Sequence, residues 1–282
     1  MSARRINPLA VTYLVILHVL ALTALLLPVR PALVLTAIAV YVLEGLGSTV
    51  GLHRLLSHRS FACPRWVEYL LVSVAMMTGQ GSPILWVATH RRHHRYSDRE
   101  GDVHSPIQGF AYSHMGWMVD DFSTSPDDAR YSKDLADDPY YRWLLRYRFV
   151  PQVATVLVLG ATLGVRALPL AFFLPSVLWM HSTYCVNSVC HHPAMGTAPF
   201  ETDDRSRNVA WVALLTFGEG WHNSHHAFPR SARHGLGRGQ IDVSHAVIRL
   251  LAWLGLAWNV QQPPSRVRRA TRANDALPKE IS

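Results

Sequence analysis

The stretch that most constrains this chain is an uncharged apolar segment near its beginning, residues 9–29. It reads LAVTYLVILHVLALTALLLPV, twenty-one residues without a formal charge. As an α-helix it would extend about 30 Å, the thickness of the hydrocarbon core of one bilayer. Its apolar part is longer than that of a signal peptide and no small-residue cleavage pattern ends it. We therefore expect a membrane span that stays in the protein.

Three further apolar stretches repeat this pattern, in two pairs joined by short turns. The whole chain is 49% hydrophobic and only 16% charged, whereas about a quarter of the residues of a soluble domain are usually charged. The sequence thus predicts an all-α integral membrane protein with four transmembrane helices, at residues 9–29, 32–52, 149–165 and 168–190.

The basic residues predict how these spans are oriented. Only Arg30 and Arg166 lie in the two short turns, and the other twenty-five Lys and Arg lie in the N-terminal tail, in 53–148 or after residue 190. By the positive-inside rule, both termini face the cytoplasm. We predict a single domain over residues 1–265, in which 53–148 and 191–265 form a cytoplasmic helical cap. A basic tail, 266–282, is predicted to be disordered.

The net charge of +8 fits this topology and attraction to anionic lipid better than nucleic-acid binding, and so we expect membrane lipid as a partner and no nucleic acid. The three cysteines form no CxxC pair, which suits a reducing cytoplasm.

Histidines are the second unusual feature of the chain, sixteen in all and clustered. The clusters are HxxxxH after the second span, HxxHH in the middle segment, NxxxH at the end of the fourth span and a second HxxHH further on. The predicted topology places all four on the cytoplasmic side. In HxxHH the three imidazoles share one face of a helix and can converge on one point, whereas the two of HxxxxH diverge by about 140° on a straight α-helix.

Convergent neutral imidazoles are good ligands for iron, copper, zinc or nickel. Nine histidines could fill two sites of four or five nitrogen ligands each. A ferritin-like carboxylate site needs two Glu-x-x-His pairs, and only Glu219-x-x-His222 fits that pattern. The remaining histidines are expected to serve packing or hydrogen bonding: His18, His181, His192, His234 and His245.

In their order and contexts, GLHRLLSH, WVATHRRHHRYSD, GFAYSHMGWM and GEGWHNSHH, the motifs resemble the membrane fatty acyl desaturases, especially the Δ9 group that includes stearoyl-CoA desaturase and the bacterial acyl-lipid enzymes. The resemblance covers roughly residues 30–260. It implies a mushroom-like fold with a di-iron centre in the cap, and O2-dependent insertion of a cis Δ9 double bond into a saturated acyl chain.

Carried over by position, the resemblance implies a set of iron ligands in which Asn187 acts through a water: His53, His58, His90, His93, His94, Asn187, His191, His222, His225 and His226. His104 and His114 also match histidines of the family, outside the ligand motifs. Ala37 and Tyr41, on the second span, are expected to help close the floor of the substrate tunnel.

Differences from the animal acyl-CoA enzymes bear on the substrate, and a missing sequence motif bears on the electron donor. Animal acyl-CoA enzymes have an Arg-Asp pair where this chain has Ala88 and Thr89, and basic residues where it has Asp120 and Asp121. The absence of these features weighs against acyl-CoA and leaves lipid-linked or carrier-protein-linked acyl chains open. The chain has no HPGG mark of a cytochrome b5 domain, and so we expect ferredoxin and its reductase to supply electrons. The ferredoxin would dock on basic residues of the cap: Arg91, Arg95, Arg230 and Arg233.

Two other functions share part of this reasoning. A histidine-rich di-iron hydroxylase or ketolase has the same metal chemistry, but the Asn187/His191 pair favours desaturation. A non-catalytic metal carrier or transporter would place ligands along a path through the membrane, whereas here they lie at the cytoplasmic helix ends. Zinc can fill such histidine sites during overexpression.

Overall fold

The structure, a computed structural model, describes residues 6–120 and 128–267. In these ranges all the regular secondary structure is helical, and β-structure is confined to isolated bridges such as Ala62–Trp258. The all-α prediction is therefore confirmed for the described residues.

Two continuous helical segments open the fold. Helix α1 (Pro8–Leu22) continues through a 3₁₀ turn, Thr23–Leu26, and helix α2 (Pro31–Leu46) continues as a π-helix, Gly47–Ser57. Both begin with proline, which is pre-shaped for the first helical turn, and the Asn7 side chain accepts hydrogen bonds from the first N–H groups of α1. With 19 and 27 residues, both segments are long and apolar enough to cross a membrane.

The π-helix at the end of α2 changes the geometry of the HxxxxH motif. A π-helix closes i→i+5 hydrogen bonds, and His58 N donates to His53 O at 3.2 Å. Residues five apart therefore lie nearly on one line, and the two imidazole centroids are 4.9 Å apart. The divergence expected for a straight α-helix does not occur.

Glycine allows this π-helix to pack closely on its neighbour. A Cβ on Gly47 would lie 2.4 Å from Ala75 N, and one on Gly51 would lie 3.1 Å from the backbone of Leu71. Both contacts are with helix α3, and so the glycines set how near α3 can approach the first histidine motif.

The rest of the described chain forms ten helices, with short 3₁₀ turns between some of them. They are α3 (Arg65–Ala75), α4 (Pro83–Tyr96), α5 (Phe110–His114), α6 (Lys133–Ala136), α7 (Pro139–Arg146), α8 (Val150–Leu163), α9 (Leu174–Ser188, preceded by a π-turn at Pro169–Phe173), α10 (Ala210–Leu215), α11 (His222–Ala227) and α12 (Val243–Trp253).

The number of spans follows less directly from the helices. Two bent pairs also pass the test for apolar length: Arg65–Thr78 with Pro83–Tyr96, bent by 84°, and Pro139–Arg146 with Val150–Leu163, bent by 70°. The described residues therefore contain two candidate spans, or up to four if each bent pair is one span. The protein is a membrane protein by these criteria, and the count of four remains a prediction.

A buried apolar cluster joins the C-terminal end of α2 to the helices around it. Leu52, Leu56 and Val50 of the π-helix pack with Val87 of α4 and Ile248 of α12, all nearly inaccessible. This core fixes the direction in which the π-helix presents its histidines.

Candidate metal centre

The structure brings the nine predicted ligand histidines together, in two groups. Within each group, one ligand nitrogen of every residue lies within 4.8 Å of those of the others. Group 1 consists of His53, His58, His90, His94 and His225; group 2 consists of His93, His191, His222 and His226.

Each HxxHH motif is divided between the two groups. Helix α4 gives His90 and His94, four residues apart, to group 1 and His93 to group 2, while α11 gives His225 to group 1 and the other two to group 2. The expectation that one motif converges on one point was wrong. Neighbouring positions on a helix are turned by about 100°, and so one short helix can serve two adjacent sites.

Within each group, the Nε2 atoms of different histidines lie close to one another. The distances are 2.7 Å for His58–His90, 3.1 Å for His53–His225, 2.9 Å for His94–His225 and 3.0 Å for His191–His222. Ligand nitrogens at about 2 Å from a metal ion are separated by about 3 Å when they subtend a right angle. The spacing thus suits a shared cation.

Four of the nine ligand histidines have a carboxylate beside the other ring nitrogen, Nδ1. His93 Nδ1 is 2.9 Å from Asp102, His191 Nδ1 is 2.8 Å from Asp98, His226 Nδ1 is 2.5 Å from Asp204, and His53 Nδ1 contacts Glu219. A proton on Nδ1, donated to a carboxylate, leaves the Nε2 lone pair free for a metal ion. The sequence reasoning missed all four carboxylates, although Asp98 and Asp102 follow the first HxxHH closely.

Burial lowers the pKa of six of the nine imidazoles, whereas at His93 the charge of Asp102 and its hydrogen bond outweigh burial and raise the pKa. Burial lowers the pKa of His226 to about 4 and that of His225 well below its ordinary value. Burial acts to raise the pKa of Asp102, but the charge of His93 and its hydrogen bond outweigh it and leave that pKa below the usual range. The buried Nε2 atoms of His93 and His226 have no partner among the described residues. Imidazole nitrogen donors of this kind fit two first-row transition-metal ions.

Asn187 lies beside both groups, one helical turn before His191. It lines a small cavity, about 60 Å³, together with His53, His90 and His222. Its side chain has no hydrogen bond within the described ranges. The proposed link to a metal ion through water remains a prediction.

His234 is a further buried histidine at group 1, which the sequence reasoning assigned to packing or hydrogen bonding. Its ring centroid is 4.4 Å from that of His225, and Arg54 Nη2 lies 3.1 Å from its Nδ1. Arg54 is itself fully buried and bridges Glu219 and Asp242. No sequence pattern indicates a role for His234 at the metal centre, since it lies in none of the histidine motifs.

Four other histidines occupy two further places. His104 packs on His93, with centroids 4.3 Å apart, and shares Asp102 with it. His18, His181 and His114 form a chain with nitrogen–nitrogen distances of 3.0 Å, which ends at Ser188 Oγ. His18 and His181 are thus hydrogen-bonding groups, as expected.

A larger cavity, about 440 Å³, reaches the metal groups from the side. Trp86, His90, His104, Tyr184 and Asn187 line its inner end. The proposed tunnel-floor residues, Ala37 and Tyr41, are not among the residues lining either this cavity or the smaller one. The Tyr41 hydroxyl donates to Ser182 Oγ and Leu215 O at 2.9 Å each.

Apolar helices of membrane-spanning length, with two groups of buried and half-buried histidines beside carboxylates, define a histidine-rich membrane protein that is able to bind metal ions. The chain belongs to the fatty acid desaturase family, whose sequence model matches residues 28–247. It is therefore an oxidoreductase of the desaturase type, and the hydroxylase and metal-carrier alternatives are not favoured.

Individual relatives extend over most of the chain. It is 44% identical to the sn-1 stearoyl-lipid 9-desaturase of Anabaena variabilis over 221 residues, 78% of this chain and 80% of the relative. It is 43% identical to the enzyme of the same name from Synechocystis over 229 residues, 81% and 71%. An acyl-CoA C20 Δ5-desaturase of Anemone leveillei is 41% identical over 231 residues, 80% and 72%.

Proposed function

We propose that this desaturase inserts a cis Δ9 double bond into a saturated acyl chain at a di-iron centre. Two irons are held by the nine histidines of groups 1 and 2, and Asn187 holds one of them through a water. The observation that carries this proposal is the pair of histidine groups beside one cavity of about 440 Å³, whose lining includes His90 and Asn187. The position of the double bond is taken from the two cyanobacterial relatives, which are named 9-desaturases.

When bound, the irons supply the activation of O2 that removal of hydrogen from an unactivated methylene pair demands. The residues of the chain itself orient the ligands and line the cavity in which the reaction takes place. Asp98, Asp102, Asp204 and Glu219 orient the imidazoles, and Trp86 and Tyr184 line the cavity in which one pair of carbons is held near His90.

Lipid-linked acyl chains are the substrate that the cavity favours. Ala88, Thr89 and Asp120 all line it, and so the positions that carry charged residues in animal acyl-CoA enzymes here form a neutral and acidic wall. Arg148 is the one Lys or Arg among the described residues that line this cavity, and a single positive charge beside Asp120 gives little net attraction to the several negative charges of CoA. Asp121 lies outside the described residues. Two of the relatives act on stearoyl lipids by name and one on acyl-CoA, so the substrate class is a proposal for this chain.

The topology proposed for this domain, residues 1–265, has four spans with both termini and the metal centre in the cytoplasm. The four proposed spans correspond to α1, α2, α8 and the helix from Pro169 to Ser188. Of these, the first two are long and apolar enough on their own, and α8 is so together with α7. Residues 53–148 and 191–265 form the cap. The basic tail lies largely outside the described residues, which end at residue 267.

Ferredoxin with its reductase is the proposed electron source. Of the four arginines expected to dock it, Arg95 and Arg230 are exposed. Arg91 is less accessible to a partner protein, because it donates hydrogen bonds to Leu56 O and Ser57 O and pairs with Asp134. Arg233 donates to Gly235 O at 2.6 Å. The proposed docking surface therefore rests on Arg95 and Arg230.

The test is mass spectrometry of total fatty acids from cells that express the chain with a ferredoxin and its reductase. We expect a product lighter by two hydrogens, with the double bond at C9. The His225→Ala variant should lack it, and His192→Ala, which changes an exposed histidine outside both groups, should retain it. A product heavier by one oxygen would contradict the proposal.

A further inference from the structure

One part of the lining of the 440 Å³ cavity, called its outer end here, contains no histidine and includes residues beside the starts of two helices. Asn7, Gln80, Asp120 and Arg148 line this end. Asn7 caps α1, and Arg148 comes two residues before α8 begins. In the proposed topology both helices enter the membrane here, and so the cavity connects the metal centre to the lipid–water interface.

Two opposite charges at this end lack charged partners. Arg148 makes no ion pair within the described ranges, and its exposed guanidinium lies over the ring of Phe149, 5.1 Å from the centroid. Asp120 also has no cationic partner within these ranges, and its carboxylate accepts a hydrogen bond from the Tyr112 hydroxyl at 2.7 Å. An acid and a base that line one cavity without pairing are complementary to a ligand that carries both charges.

A third polar group on the same wall is a buried donor. Gln80 Nε2 is inaccessible to solvent and has no hydrogen-bond partner among the described residues. Buried amide N–H groups are nearly always satisfied, and the cavity that Gln80 lines is where a ligand oxygen could reach it. An ester carbonyl has the required acceptor.

We propose that this end of the cavity recognises the head of a zwitterionic phospholipid. Arg148 pairs with the phosphate, Asp120 with the cationic amine, and Gln80 donates to the ester carbonyl of the chain that enters the cavity. An anionic phospholipid or CoA would bring negative charge to Asp120 without compensation, and a galactolipid would leave Arg148 unpaired. This inference rests on the proposed function and names the substrate class of the same site.

The experiment compares head groups on one acyl chain. Iron-loaded protein in nanodiscs, supplied with electrons by ferredoxin and its reductase, receives stearoyl lipids diluted in a matrix lipid whose branched chains are not substrates. The four heads are phosphoethanolamine, phosphocholine, phosphoglycerol and galactose. We expect KM for the two zwitterionic lipids to be about fivefold below that for the anionic one, the size of one partly exposed charge pair.

Variants assign this preference to residues. Asp120→Asn should abolish the difference in KM between zwitterionic and anionic lipids. Arg148→Gln should raise KM for all three phospholipids, but not for the galactolipid, with kcat nearly unchanged. Gln80→Leu should raise KM for all four lipids alike. Asp137→Asn and Arg146→Gln, exposed charges that do not line this cavity, are the matched controls.

Failure of this inference differs from failure of the proposed function. If the KM of the wild-type protein for the anionic lipid or the galactolipid equals that for the zwitterionic lipids, the function stands and the head-group inference is wrong. An unchanged KM ratio in Asp120→Asn would overturn it too. If no acyl carrier yields a desaturated product, the proposed function itself fails. The preference of the wild-type protein is independent of whether any variant folds.

Discussion

His53 and His58 lie five residues apart and yet face one another, because the helix between them is a π-helix whose His58 N–H donates to His53 O. Group 1 depends on this winding, since both residues belong to it. The winding in turn depends on close packing against α3, which glycine permits.

Gly47→Ala should therefore disturb group 1. The added Cβ would lie 2.4 Å from Ala75 N, and relief of such overpacking costs about 1–3 kcal/mol. We expect a lower unfolding temperature in detergent and less bound iron per chain, measured by elemental analysis. Gly160→Ala is the control, because its Cβ would come no closer than 3.6 Å to Leu168. Equal iron content in both variants would refute this account of the π-helix.

Asp102→Asn should weaken metal binding without removing a ligand. The neutral amide is a poorer acceptor for His93 Nδ1–H, and loss of such a partner lowers metal affinity by about 10- to 100-fold. Competition with a chromogenic chelator measures the affinity. Asp137→Asn, an exposed acid distant in sequence from the histidine motifs, should leave it unchanged. An unaltered affinity in Asp102→Asn would mean that this carboxylate only packs.

One histidine from each group should be indispensable. His225→Ala (group 1) and His93→Ala (group 2) should each abolish turnover, because each leaves an incomplete ligand set. Membrane fractionation should still recover both variants with the membrane, since neither residue lies in the two continuous candidate spans, Pro8–Leu26 and Pro31–Ser57. Near-normal desaturation by either variant would show that the ligand assignment is wrong.

Asn187→Ala should impair turnover rather than abolish it. The proposed contact with iron passes through water, and outer partners of this kind contribute about tenfold or more to activity. The measurement is kcat with saturating donor, and Ser182→Ala on the same helix serves as a control. Complete inactivity with full iron content would imply a direct role for Asn187.

Tyr41→Ala tests the proposed tunnel floor. If Tyr41 limits chain length, the variant should desaturate longer acyl chains than wild-type protein does, read from the product distribution by gas chromatography. Tyr41→Phe removes only the hydrogen bonds to Ser182 and Leu215 and should keep the wild-type distribution. An unchanged distribution with Tyr41→Ala would leave Tyr41 a packing residue.

The sequence predicted the helical class and which histidines meet, because apolar length and histidine spacing are local properties. It failed where geometry departs from a regular α-helix, since nothing in HxxxxH signals π-winding. It also missed Asp98, Asp204 and Glu219, whose role requires contacts across long separations, such as His191 with Asp98. The sequence did not predict the outer end of the cavity, at Gln80 and Arg148, for the same reason: its residues come from loops that only the fold brings together.

The division of each HxxHH motif between two groups would couple the two proposed metal sites. Helix α4 and helix α11 each carry histidines of both groups, so the first ion to bind would hold in place the backbone that carries ligands for the second. Occupancy of one site then raises affinity at the other. The protein should fill and empty its two sites together, so that chelation converts loaded chains to bare ones without accumulating a half-loaded form.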